Sequence, residues 1–276
     1  MPWIADFRDP WTLSDTHRAL PGWRQWADAR LERSNLYWAD RVVCNTDRAR
    51  QEMVRISSRL PAEKFVTLTN GFDDPVRQPP SPSRHPRERL LLHLGSLYGS
   101  RRIDTFCQAM EKLRQSGEID FGSLKILFVG DAEQSYAIST EKTFPELTRT
   151  GCLVFRPLVK WTQAQEILAK ADLLLAFYAN PLAVPAKFYE YLQTGKPIFA
   201  VTPPGALTDI LTVTESGLWA NPDDVNEIAT QFLRALSLPP KNPAEVQARW
   251  SGQYHFRSLA ARLATWLREL VPVNPA

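Results

Sequence analysis

Eight short apolar runs alternate with helix-patterned segments along almost the whole chain, and no other feature narrows the fold as much. The runs are WIADF, RVVCNT, FVTLT, RLLLHL, LKILFV, CLVFR, DLLLAFY and PIFAV. Between them lie patterned stretches such as Pro21 to Trp38, Asp47 to Ser58, Arg102 to Gln115 and Thr162 to Ala171. A strand that is apolar on both faces and is followed by a helix belongs in a parallel sheet with helices on both sides. The expected class is therefore α/β, and no internal repeat is visible.

One composition break divides the chain. DDPVRQPPSPSRHPRER, from Asp73 to Arg89, holds five prolines and no aliphatic core, which is the signature of a linker. The expected organisation is a first unit over 1–75, a proline-rich linker over 76–88 and a second unit over 89–250. A final helix and tail over 251–276 is expected to pack back on the first unit. Phe256, Leu259, Leu263, Trp266, Leu267 and Leu270 would form its apolar stripe. Peripheral membrane contact through that helix's arginines is the alternative. The first unit offers only about three strands, the first starting beside the N-terminus. Its sheet would then leave an edge and an apolar face to be covered, which predicts self-association or a partner.

Composition removes several classes. With 44% hydrophobic and 23% charged residues the chain is an ordinary globular one rather than a disordered one. A net charge of +3 without any Lys/Arg run argues against nucleic acid as a partner. Cys44, Cys107 and Cys152 are scattered, so a reducing compartment and no metal site are expected. The longest apolar runs are too short to span a bilayer, and MPWIADFRDP is no signal peptide, which makes the cytoplasm the expected location.

In open α/β sheets, ligands bind beyond the carboxyl ends of strands, near helix N-termini. Four stretches suit that rule. In HLGSLYGSRR, Gly95 and Gly99 allow close backbone approach while Arg101 and Arg102 bring positive charge; an ordinary turn with solvated arginines stays open. FVGDA places Gly130 and Asp131 at a strand end, where Asp131 also suits a helix cap. ADFRDPWT places Arg8 and Asp9 just past a strand, either facing a cleft or forming a local salt bridge and turn.

The fourth stretch is VPAKFYEYLQTGKPIFAV, from Val184 to Val201. Pro185 suits a first helical position and Gly195 the residue past the last turn. Phe188, Tyr191 and Leu192 share one face, and Lys187, Glu190 and Thr194 the other. Lys187 opposes the helix dipole where it stands, a conflict that a bound anion would remove. With the backbone N–H groups from Val184 to Lys187 it could hold a diphosphate, and Glu190 could accept both hydroxyls of a ribose. The alternative is an exposed Lys–Glu pair worth on the order of a few tenths of a kcal/mol.

Taken in order, PWIADFRDPWT, ADRVVCNT, TNGFD, HLGSLYGSR, FVGD, ADLLLAFY and PAKFYEYLQTGKPI resemble the glycosyltransferase family 4 proteins of GT-B fold. The resemblance runs from Pro2 to about Phe232. It implies two facing Rossmann-like domains, with a nucleotide-diphosphate sugar held mainly by the C-terminal one. Gly95 and Ser96 match the family's donor-phosphate loop, Arg101 or Arg102 its phosphate-binding cation, and Arg156 and Leu158 the segment against the nucleobase. Glu190 matches the ribose-binding carboxylate, Lys187 faces the diphosphate, and Arg8 and Asp9 line the cleft from the acceptor side. Leu182 stands where the family often has a second acidic residue. The family's acceptor-binding glycine loop and first strands have no counterpart, so the first half of the acceptor domain is expected to be absent and activity of this chain alone to be low.

The implied activity is retaining transfer of a sugar to a hydroxyl acceptor, a polysaccharide or a lipid-linked glycan, with no metal and no other cofactor. Two rivals accompany it: a truncated, non-catalytic nucleotide-sugar-binding protein, and a sugar-nucleotide epimerase of the same architecture.

Overall fold

The computed structural model describes residues 2–74, 89–97, 103–131 and 134–271. The expected linker at 76–88 lies outside them. Each of the eight apolar runs forms a strand: β1 (Ile4–Phe7), β2 (Arg41–Cys44), β3 (Phe65–Thr67), β4 (Arg89–Leu94), β5 (Leu124–Val129), β6 (Leu153–Arg156), β7 (Leu173–Phe177) and β8 (Ile198–Val201). A ninth, β9 (Gly217–Ala220), went unread. Its GLWA sequence begins with glycine and offers no apolar run long enough to stand out. All pairings are parallel, in one sheet ordered β1-β2-β3 and a second ordered β6-β5-β4-β7-β8-β9. The α/β class read from the alternation holds.

Helices span Gly22–Trp38, Asp47–Ile56, Asp104–Ser116 and Trp161–Lys170, within about two residues of the patterned segments, the usual spread at helix ends. Local chemistry sets several ends. Thr46 accepts the Ala49 N–H at 3.0 Å to open one helix, and Asp224 accepts from Asn226 and Glu227 to open that at Val225–Leu236.

In the six-stranded sheet, successive residues alternate between two apolar layers. Leu91, Ile126, Phe128, Leu175 and Phe199 pack with Phe106 and Phe232 on one face. Leu92, Leu127, Leu174, Ile198 and Ala200 pack with Phe188, Tyr189 and Leu211 on the other. Both faces are dry, which is why these strands read as continuous apolar runs.

The three-stranded sheet is covered on both faces as well, which corrects the expectation of a bare apolar face. Ala5, Phe7, Val42, Cys44 and Phe65 meet Leu36, Ala49 and Met53 on one side. Val43, with Ile4 and Val66, meets Leu259, Leu263 and Trp266 of the helix Phe256–Leu270 on the other. The expected six-residue stripe of that helix narrows here. Phe256 and Leu267 remain 49% and 47% exposed, because they sit about 50–75° around the helix from the line through Leu259, Leu263 and Trp266.

The two units meet at several points. Phe72 pairs with His255: its N–H donates to the Tyr254 carbonyl at 3.0 Å, and its own carbonyl accepts the Phe256 N–H at 2.9 Å. Gly71 runs so close to the Tyr254 carbonyl that a Cβ there would overlap it. His255 Nδ1 accepts the Arg257 N–H, so its Nε2 carries the proton toward Asp74 at 3.1 Å. Arg48 grips Asp209 with two hydrogen bonds, and the Thr46 hydroxyl donates to the Leu182 carbonyl.

Candidate functional site

The order of the six-stranded sheet reverses between β4 and β7, and the crevice beyond their carboxyl ends is where such sheets bind ligands. A cavity of about 480 Å³ occupies that place. One wall comes from the end of β4 and its loop (His93, Leu94, Gly95, Ser96), the end of β7 (Leu175 to Tyr178) and the start of the helix Ala186–Gln193 (Val184 to Phe188, with Tyr191). The opposite wall is Arg8, Asp9, Asn45 and Asn70, each just past a strand of the three-stranded sheet. Both units thus present strand ends to one volume.

The β4 loop is shaped by two glycines. Gly95 at φ 153° and Gly130 at φ 155° occupy backbone conformations that side chains rarely adopt. A Cβ on Gly130 would overlap the Gly95 carbonyl and lie 3.0 Å from Ser96 N. Gly130 therefore lies against the back of the β4 loop and does not line the cavity. Backbone hydrogen bonds tie the strand ends together, from Gly95 N to Val129 O at 2.9 Å and from Gly130 N to Arg156 O at 3.1 Å.

Pro185 caps the helix Ala186–Gln193 rather than occupying its first turn, and Gly195 follows it at φ 68°. The helix buries Phe188, Tyr189, Tyr191 and Leu192; Tyr189 was not among the expected apolar positions. Its first amides lack intrahelical partners and point toward the cavity end. Lys187 is exposed there. Among the described residues no salt bridge joins it to Glu190, although the Lys187 charge still acts on that carboxyl. Glu190 is half-buried one turn on; burial raises its carboxyl above the ordinary range, and the Lys187 charge offsets part of that.

Polar contacts brace the other wall. Arg8 donates from Nη1 to the Thr69 carbonyl at 3.1 Å and to Asn70 Oδ1 at 3.2 Å, and from Nε to Asp6 at 3.1 Å. Asn70 Nδ2 donates in turn to the Val184 carbonyl at 3.3 Å, so a chain of hydrogen bonds crosses the cavity floor from one unit to the other. Asp9 carries none of that bracing among the described residues.

Of the expected site residues, Arg8, Asp9, Gly95, Ser96, Val184 and Lys187 line the cavity together. Glu190 stands beside them on the same helix without lining it. Arg156 and Leu158 are exposed at and beyond the end of β6, at the sheet edge. Arg101 and Arg102 lie outside the described residues. The sequence did not single out Asn45, His93 or Tyr191. His93 sits inside an apolar run and is 6% exposed, its Nδ1–H directed to the Leu175 carbonyl at 2.9 Å. Tyr191 reads as a core aromatic, yet its hydroxyl accepts the Leu94 N–H at 2.6 Å and so pins the β4 end to the helix.

Known proteins share this architecture. The Anabaena protein HepE, solved with UDP and glucose, superposes with a TM-score of 0.70 at 16% identity, over 98% of this chain and 72% of its own. Sucrose-phosphate synthase from Thermosynechococcus elongatus gives 0.70 at 16% identity, over 98% and 68%. A glycosyltransferase from Rickettsia africae gives 0.70 at 12% identity, over 99% and 78%. No curated protein sequence matches the chain. The family model described as glycosyl transferases group 1 matches residues 88–237, from the start of β4 through the helix Val225–Leu236. This protein belongs to the group 1 glycosyltransferases.

Proposed function

We propose that the chain transfers a sugar from a nucleotide-diphosphate donor, with retention at the anomeric carbon, to a hydroxyl acceptor of a polysaccharide or lipid-linked glycan. The observation that carries this reading is the exposed Lys187 at a helix start in the cavity at the β4/β7 crevice. A diphosphate placed there meets the Lys187 ammonium, the free amides of the helix start and the Gly95–Ser96 backbone. Arg101 or Arg102 adds a further cation in this reading, and Glu190 takes the ribose hydroxyls. Arg156 and Leu158 are assigned to the nucleobase. That HepE has been solved with UDP supports a uridine nucleotide as the first to try.

Catalysis is then positioning plus stabilisation of the departing diphosphate, with neutralising charge from side chains and helix amides rather than a metal. Asp9 faces the same volume from the other wall and is assigned to the acceptor. One observation favours a binding protein without turnover: Leu182, where the related sequences often carry an acid, packs into the apolar layer of the three-stranded sheet.

Calorimetry with UDP, GDP and ADP in the presence of a chelator tests the reading, with a nucleoside diphosphate expected to bind. Failure of all three would sink it. Incubation with UDP-sugars and acceptors then separates the outcomes: released UDP with glycosylated acceptor marks a transferase, an interconverted sugar nucleotide an epimerase, and binding alone a remnant.

A further inference from the structure

Two asparagines stand on the first unit's wall of the cavity, Asn45 just past β2 and Asn70 beyond β3, and their amides are used differently. Asn70 uses both ends: Oδ1 accepts from Arg8 at 3.2 Å and Nδ2 donates to the Val184 carbonyl at 3.3 Å. Asn45 uses one. Its Oδ1 accepts the Asn70 N–H at 3.2 Å, which fixes how the amide is turned, because only the oxygen can accept. Its Nδ2 makes no hydrogen bond among the described residues. Asn45 is only 4% exposed, yet it lines the cavity, and its Nδ2 is not sealed in as Gln193 Oε1 is. A donor held almost out of water without an acceptor is unfavourable, and a ligand oxygen in the cavity would relieve it.

The place of this amide narrows what the ligand atom is. β2 is the middle strand of its sheet, and the neighbours of Asn45 tie that wall to the second unit. The Thr46 hydroxyl donates to the Leu182 carbonyl, and Asn70 donates to that of Val184. Both carbonyls belong to the segment entering the helix Ala186–Gln193, where Lys187 stands. The end of β1, with Arg8 and Asp9, makes no such bond to the second unit among the described residues. The Asn45 NH2 therefore lies across the cavity from the helix start rather than out beside Asp9.

We propose that the Asn45 side-chain amide donates a hydrogen bond to a hydroxyl oxygen of the sugar carried on the donor diphosphate, and so helps to select that sugar. This contact rests on the donor reading and adds to it a group from the opposite unit. The sugar is the part of such a donor that projects from the phosphates toward the facing wall. An uncharged NH2 suits a neutral hydroxyl, whereas the phosphates are met by the Lys187 ammonium and the helix amides. Bare nucleotide, held on the second unit, does not need Asn45.

Calorimetry on the full chain tests this by comparing each nucleotide with a sugar conjugate: UDP with UDP-glucose, GDP with GDP-mannose and ADP with ADP-glucose. Asn45→Ser withdraws the amide from the cavity but leaves a small polar group. It should weaken binding of the sugar nucleotide about tenfold, the loss of one hydrogen bond, and leave bare nucleotide unchanged. Asn45→Asp keeps the shape and the acceptor for the Asn70 N–H while removing the donor. It should lower the same affinity ratio, and it decides the question if circular dichroism shows Asn45→Ser unfolded. A ratio unchanged from the parent overturns the proposal and leaves the donor reading standing. Equal weakening of bare and conjugated nucleotide assigns the amide to the phosphates and also overturns it. A parent chain that binds no nucleoside diphosphate overturns the donor reading, and this contact with it.

Discussion

The two walls of the cavity belong to sheets that are stabilised differently. The six-stranded sheet is sandwiched between layers drawn from its own unit, where rings such as Phe106, Phe177 and Phe232 meet edge to face at 5.3 and 5.7 Å. The three-stranded sheet supplies only a small cluster of its own around Val42, Cys44 and Met53. Its second face is closed by Leu259, Leu263 and Trp266, side chains from the far end of the sequence. A complete unit and a dependent one thus share the cleft. The expected donor side lies on the first and the expected acceptor side on the second.

The largest expected effect probes the independent unit. Phe232 is fully buried between the helix Val225–Leu236 and the sheet, and Phe232→Ala should cost about 3–5 kcal/mol of stability by denaturant unfolding. A loss under ~1 kcal/mol would mean that this core is not what holds the unit together. Leu259→Ala should cost about 2–4 kcal/mol, but selectively. Hydrogen exchange should accelerate in β2 and β3 while β4, β5 and β7 stay protected, and uniform acceleration would erase the distinction between the units.

Nucleotide binding sharpens the comparison at the walls. Glu190→Ala should weaken UDP binding by about 2 kcal/mol in calorimetry and leave stability nearly unchanged, whereas Asp9→Ala should leave UDP affinity intact and lower transfer. Burial favours the neutral Glu190 carboxyl, so its pKa lies above the ordinary range. The carboxylate proposed to accept the ribose hydroxyls therefore disappears as pH falls through that raised value. Affinity should drop at a higher pH than for an ordinary glutamate, and Glu190→Gln should remove that component of the profile. Identical profiles for parent and Glu190→Gln would take Glu190 out of the binding site.

The smallest effect lies at the seam. Arg48 and Asp209 are 45% and 50% exposed, so solvent screens their pair despite its two hydrogen bonds. A double-mutant cycle should return ~0.5 kcal/mol, falling with salt. A value several times larger would make this pair a principal tie between the units.

The fold was legible because burial on both sheet faces leaves a local trace. Runs such as RLLLHL and LKILFV are apolar at neighbouring positions and so on both faces, and each is a strand. β9 was lost because four residues starting with glycine carry no such trace. The cavity was partly legible through glycines and charges at strand ends. Lys187 conflicted with its own helix, and Gly95 stood where a side chain would be strained. His93 and Tyr191 were not legible: the Leu175 carbonyl and the Leu94 N–H that their polar atoms bond reach them only when β4, β7 and a distant helix meet. The C-terminal helix was expected to pack back on the first unit, but the open face of the three-stranded sheet was not matched to its Leu259, Leu263 and Trp266, almost two hundred positions away.

That closing helix also orders events in time. Val43 and Leu68 are made before Leu259, which covers them and follows Leu68 by about 190 residues. At ~5–20 residues per second the first sheet waits on the order of 10–40 s for its second face, while the six-stranded unit can condense on its own in the interval. The earlier of the two units is therefore the later to be finished, and the apolar side of β2 and β3 is the surface a chaperone would meet on the nascent chain.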